Sequence, residues 1–248
     1  MKKLIYAGLC LAMFTAASCS KTYDNYPEPQ ETLNGSVVDA ETGDGIQTEA
    51  GGNGTRVRLD ELSYSATPKP YYFYSMQDGT FNNTKIFKGH YKVSVEGPFV
   101  PLLQNDESGT ITVDKRKEMD IIGKTSVKFE VEPFLNVTWV GEPVINTDST
   151  ITVKVKVIRG TNDPDFQQDI SDVFLFVNYL PYVGNNNRVD RFSTQVSYSG
   201  DAPEDETISI TSSSKLDLHR DYYLRVGARI SYGQNWYNYT TVKKVTVP

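Results

Sequence analysis

Thiols are almost absent from this chain. Its 248 residues hold two cysteines, Cys10 and Cys19, both close to the N-terminus. Without disulfides along the rest of the chain, stability has to come from packed cores. Histidine is equally scarce. His90 and His219 each stand without a second histidine or a cysteine at metal-ligand spacing, which argues against a zinc site of the usual kind. No Gly-x-Ser-x-Gly elbow and no phosphate-binding glycine loop occurs. A formal charge of −6 with no basic cluster argues against nucleic acid as a partner. Beyond residue 20, no stretch repeats apolar residues at the helical period, and none has the length of a membrane span.

What is present begins with a leader. Lys2 and Lys3 supply positive charge, Leu4 to Ala17 an apolar run, and Ala16-Ala17-Ser18 lead into Cys19. This order describes a secretory signal peptide over residues 1–18, too short for a transmembrane helix. Small residues ending on cysteine resemble the bacterial lipobox, which implies cleavage before Cys19 and lipid on its thiol. A single acyl chain anchors only marginally, and several together anchor firmly. Loss of Lys2 and Lys3 moves the formal charge from −6 to −8, and loss of Cys10 leaves Cys19 as the one remaining thiol. Residues 19–29 are polar with two prolines and read as a tether. The expected location is the outer membrane, lipid-anchored and exposed at the cell surface.

The remainder is rich in tyrosine (16) and phenylalanine (11), punctuated by glycine and proline, a bias that favours an all-β chain. Two tandem β-sandwich domains are expected, over residues 30–124 and 126–248. In the first, Thr32–Asp39, Thr55–Leu59, Ile86–Val95, Thr110–Val113 and Met119–Ile122 read as strands, with turns at Ala40–Gly45 and Gln77–Gly79. The elements Gly35-x-Val37-x-Asp39-x-x-Thr42-Gly43, Asp78-Gly79-x-Phe81 and Gly89-x-Tyr91-x-Val93 resemble the transthyretin-like, or carboxypeptidase-regulatory-like, sandwich. That resemblance implies a stabilising or presenting module. Insertions at 47–53 and 61–72 depart from it and are places where function could be added.

The second half opens with Val127–Val131 and Asn136–Trp139. Thr150–Val157 alternates Ile151, Val153, Val155 and Val157 with Thr and Lys, as a strand with one buried face does. Asp172–Tyr179 is apolar on both faces and should be central. Leu216 and Tyr222, followed by a long strand and the turn Tyr232–Asn235, resemble the tyrosine corner and final hairpin of a fibronectin type III or immunoglobulin-like domain. The mature chain as a whole, with Asp24-Asn25-Tyr26, Gly79–Thr84 and Glu96–Pro101, resembles an uncharacterised family of Bacteroidetes lipoproteins associated with SusC- and SusD-type glycan importers. This resemblance implies a part in glycan capture or uptake and carries no family activity with it.

Candidate chemistry is sparse. A glycosidase needs two carboxyl groups held across a cleft, which two small sandwiches rarely provide, so neither an enzyme nor a cofactor is expected. The acidic loop Asn162–Asp165 reads as a solvated turn and no metal site is expected. Aromatic loops are the sharper candidates. Tyr and Trp join an apolar face to a polar edge, which suits stacking on sugar rings while neighbouring amides bond the hydroxyls. Trp236, Tyr237 and Tyr239 follow a hairpin turn, and Tyr179, Tyr182, Asn186 and Arg188 share a second loop. These seven are the expected glycan-binding residues, with core or interface packing as the competing role. Pro70–Tyr74 forms a third cluster, one set of rings in the core and the other outside. The expected partners are an oligo- or polysaccharide and a SusC/SusD-type importer; the competing function is an interaction subunit of that importer which binds no sugar.

Overall fold

A computed structural model describes residues 27–200 and 202–248; the leader, Cys19 and most of the tether lie outside the described residues. Apart from one 3₁₀ turn, every regular element described is a strand. The chain runs β1 (Glu31–Asp39), β2 (Arg56–Glu61), β3 (Tyr71–Tyr74), β4 (Thr80–Ile86), β5 (Gly89–Glu96), β6 (Leu103–Asn105), β7 (Ile111–Asp114), β8 (Lys117–Ile121) and β9 (Lys124–Val131). It continues through β10 (Leu135–Trp139), β11 (Val144–Ile145), β12 (Ile151–Arg159), β13 (Ile170–Asn178), β14 (Thr194–Ser197), β15 (Thr207–Thr211), β16 (Arg220–Ile230), β17 (Asn238–Tyr239) and β18 (Lys243–Val247). The expected all-β class and the two tandem domains are both present.

The N-terminal domain sets the sheet β4-β1-β9 against β3-β2-β5-β8, and β6 and β7 form a separate hairpin. Inward residues of both sheets, among them Leu33, Val37, Val57, Leu59, Val93, Val95 and Phe129, make its core. One strand falls in a different place from the sequence reading. Residues 127–131 were expected to open the second half, but β9 pairs in parallel with β1 from Thr32↔Lys124 to Asp39↔Val131. Its alternating Val127, Phe129 and Val131 would fit either core, and a parallel partner some ninety residues away leaves no local mark on the sequence. Gly35 is explained by the same pairing: a Cβ there would lie 1.9 Å from the Val127 carbonyl oxygen and 2.6 Å from the Phe81 ring.

The C-terminal domain packs β10, β12, β11 and β15 against β14-β13-β16 with β17 and β18. The four alternating residues of β12 are buried as expected, and β13 is central, between β14 and β16. The tyrosine corner also forms. Tyr222 is fully buried, and its hydroxyl accepts from the Asp217 N–H at 2.7 Å. The acidic loop at 162–165 is organised locally: Asp163 caps the 3₁₀ turn Pro164–Phe166, whose Phe166 is buried.

The two domains meet over a short crossing. The Val100 N–H donates to the Glu132 carbonyl and the Phe134 N–H to the Pro98 carbonyl. Phe99 joins the N-terminal core while its neighbour Val100 joins the C-terminal one. A third cluster lies beside the crossing. The outward face of β13 carries Phe174 and Phe176, and these are covered by Val183, Tyr237 and Tyr239 rather than by another sheet. Gly227 on β16 permits this cover, since a Cβ there would press on the rings of Tyr237, Phe176 and Tyr239 at 3.0 to 3.1 Å.

Candidate functional site

The seven expected binding residues separate. Tyr237 and Tyr239 are 4% exposed each, so neither ring can stack on a ligand from solvent. Burial and the Asp172 carboxylate hold the Tyr237 hydroxyl well above its usual range, and that hydroxyl donates to Asp172 Oδ1 at 2.6 Å. Tyr239 donates to Glu49 Oε2 at 2.7 Å across the domain boundary. Asn186 also reaches across, bonding Asn53 and the Gly52 carbonyl, and its N–H donates to Glu49 Oε2 at 3.3 Å. Arg188 folds back on the Asn185 carbonyl and Asp190, over the Phe174 ring at 5.1 Å. Tyr179 packs on Tyr222 at the end of the C-terminal core, with Arg220 over its ring at 3.9 Å. Tyr182 is 52% exposed. Burial thus gives Tyr237 and Tyr239 the packing role that competed with glycan binding. Residues 47–54 and 183–187 meet, joined by the bonds of Asn186 to Asn53, Gly52 and Glu49.

Arg225 is the centre of that junction. It is fully buried, and its Nε donates to the Thr240 carbonyl at 2.8 Å, its Nη1 to the Thr48 carbonyl at 2.7 Å and its Nη2 to Gln47 Oε1 and the Gln77 carbonyl at 3.3 Å. It also lies over the Tyr239 ring at 4.4 Å. Burial pushes its guanidinium down to about 10, so it stays charged at neutral pH. Gln77 Nε2 returns a bond to the Val183 carbonyl at 2.9 Å.

Of the seven, Trp236 lines a cleft at the domain boundary, and the edge of Tyr239 borders a second groove. The cleft, about 320 Å³, lies between the outer face of sheet β3-β2-β5-β8 and the hairpin turn at 232–236. That size falls at the lower end for small-molecule sites. Arg56 lies over the Trp236 ring at 5.5 Å and over the Tyr72 ring at 4.3 Å. Glu96 holds it, with Nε at 2.8 Å and Nη2 at 2.6 Å. The other Glu96 oxygen accepts from the Tyr72 hydroxyl at 3.4 Å and sits 3.8 Å from Arg58 Nη1. Burial, followed by the Glu96 charge, raises the Tyr72 hydroxyl above its usual range, so it remains a donor at neutral pH. Asn105 and Gln234 add amides to the lining. Together these groups supply an aromatic face, fixed guanidinium donors and carboxylate and amide acceptors. They include no nucleophile paired with a base.

A second groove, about 560 Å³, runs past Trp139 and the turn at 39–47. Its tryptophan is less available: the Trp139 indole N–H donates to the Thr241 carbonyl at 2.9 Å, and Lys243 Nζ lies 5.3 Å from the ring centre. No hydrogen bond from the Trp236 indole occurs among the described residues.

Arg56, Arg58, Glu96 and Gln234 were not singled out in the sequence. The available signal was the Arg56-Val57-Arg58-Leu59 alternation, which places both arginines on the solvent face of one strand. Tyr72, within the third aromatic cluster, stands opposite Arg58 in register.

Models of the two halves of a protein family of unknown function, DUF3823, match residues 31–131 and 140–244. The chain belongs to the DUF3823 family. A family structure from Bacteroides uniformis superposes with a TM-score of 0.84 at 37% identity, over 89% of this chain and all of that one. Another B. uniformis structure, described as a candidate carbohydrate-binding protein, has a TM-score of 0.68 at 20% identity over 88% of this chain and all of its own. A DUF3823 structure from Parabacteroides merdae has a TM-score of 0.64 at 19% identity over 89% of this chain and all of its own. No curated protein matches the chain.

Proposed function

We propose that this DUF3823 protein is a non-catalytic carbohydrate-binding lipoprotein, anchored at the outer membrane through Cys19, which captures glycan beside a SusC/SusD-type importer. One observation carries the reading: the cleft at the domain boundary, where the half-buried Trp236 meets Arg56, Tyr72 and Glu96. Indole faces take the C–H side of a sugar ring, and the guanidinium and carboxylate on either side take its hydroxyls. The description of one distant structural relative as a candidate carbohydrate-binding protein agrees with it. The leader ending at Cys19 supports the location. Calorimetry against a glycan panel tests the activity. Saturable binding that disappears in Trp236→Ala is expected, and binding untouched by that substitution moves the site away from the cleft. Cys19→Ala should release the protein from membranes; retention of the variant sinks the anchor.

A specific observation favours a second reading, an interaction subunit of the importer that binds no sugar. Edge strand β3 exposes Tyr71 and Tyr74, and the nearby Tyr64 and Met76 are also exposed, the kind of apolar surface that marks protein contacts. Co-purification with an importer from membranes, lost on Tyr74→Glu in a protein that binds no panel glycan, would favour it.

A further inference from the structure

The cleft is one end of something longer. A second hollow, about 270 Å³, lies on the same sheet face and shares Arg58 with it; its other walls include Asp60, Lys92, Arg116 and the loop residues Ala66 and Thr67. Arg56, Arg58 and Asp60 are alternate residues of β2, so all three side chains emerge on that face. Their span along the strand is about 14 Å at ~3.4 Å per residue, longer than one pyranose ring. The far wall belongs to the 61–72 insertion.

The charges on this floor alternate in sign without a gap. Arg56 pairs with Glu96 at 2.6 Å, Glu96 faces Arg58 at 3.8 Å, and Arg58 pairs with Asp60 at 3.0 Å. Asp60 then pairs with Arg116 at 3.0 Å, Arg116 with Asp114 at 2.7 Å, and Asp114 with Lys92 at 3.4 Å. Asp60, whose side chain is only 5% exposed, joins Arg58 to Arg116 and fixes both guanidinium planes. Every cation has a carboxylate beside it. A polyanion would have to displace those carboxylates, whereas a hydroxyl both donates and accepts and can bond a pair without breaking it.

Building on the carbohydrate-binding reading above, we infer that the two hollows form one trough for a linear, neutral oligosaccharide, stacked on Trp236 at one end and lying across Arg58 to the 61–72 loop at the other. Calorimetry with size ladders from mono- to hexasaccharide of xylan, mannan, starch and homogalacturonan tests it. Wild type should bind the hexasaccharide of a neutral ladder at least about tenfold more tightly than the disaccharide. Because the floor's charges are already paired, that affinity should change by less than about twofold between low and high salt. Ala66→Tyr, which fills the far hollow, should bring the ratio toward one, and Lys92→Gln should lower it if the first variant does not fold. Trp236-dependent binding with equal affinity for di- and hexasaccharide overturns the trough and leaves the carbohydrate reading standing. Binding of homogalacturonan alone, weakened steeply by salt, overturns the neutral class. Binding of no ladder overturns the trough and the carbohydrate reading together.

Discussion

Trp236 and Tyr239 stand three residues apart in Trp-Tyr-Asn-Tyr and do opposite things. Trp236 is half-buried at the lip of an open cleft, while Tyr239 lies within the domain junction with its hydroxyl on Glu49 and Arg225 over its ring. Both neighbourhoods hold tyrosine, amide and arginine side chains. They differ in what lies opposite. The outward face of β13 presents Phe174 and Phe176, which need cover, and Tyr237 and Tyr239 supply it. The outward face of β2 presents Arg56 and Arg58, which tolerate water; Tyr72 and Trp236 flank Arg56 and leave the cleft beside it open. An aromatic, amide-rich loop thus describes a wet interface as well as it describes a binding site.

The comparison breaks most readily at Arg225. Arg225→Ala strands the Thr48, Gln77 and Thr240 carbonyls in a buried site and should cost about 3 to 5 kcal/mol. Urea denaturation reads the loss, and a calorimetric scan should show the domains melting separately. A cost under about 1 kcal/mol would mean that the junction contributes little to stability.

Tyr239→Phe keeps the ring and removes the donor to Glu49. Its expected cost is about 1 to 3 kcal/mol, with glycan affinity unchanged. A selective loss of binding would show that junction and cleft are one site. Trp236→Ala should do the reverse, costing about 1 kcal/mol or less in urea while abolishing binding.

The smallest effect is expected at His90, on β5 beside the edge strand β8. Hydrogen bonds to Glu118 and then Asp120 raise its pKa above the ordinary histidine value of about 6.5. Their contribution to stability is full below pH 6.5 and lost as pH rises through the higher folded-state value. Wild type and His90→Gln should therefore converge in urea midpoint at alkaline pH, and proton NMR should place the titration above 6.5. A titration at or below 6.5 would remove the effect.

Much of the fold was legible because its signals are local. The β12 alternation, the two apolar faces of β13 and the Leu216–Tyr222 spacing each follow from side chains alternating across a strand or from a short-range bond. Strand β9 was misplaced because nothing within 124–131 names β1 as its partner. Of the candidate binding residues, only Trp236 lines the cleft. Arg56 and Arg58 were visible as the polar half of a strand, but a polar half is the ordinary solvent face of any sandwich. It became a candidate site only when the hairpin of the other domain rose beside it.

The sequence by itself determined the all-β class, the inward and outward faces of its longer strands, the tyrosine corner and the presence of two domains. These depend on a two-residue period and on neighbours a few positions away. The tertiary structure alone decided which rings stay open and which are sealed. That depends on what a distant segment brings to each face: residues 47–54 bond and bury Tyr239, whereas the 232–236 turn stands beside Arg56 and leaves a cleft.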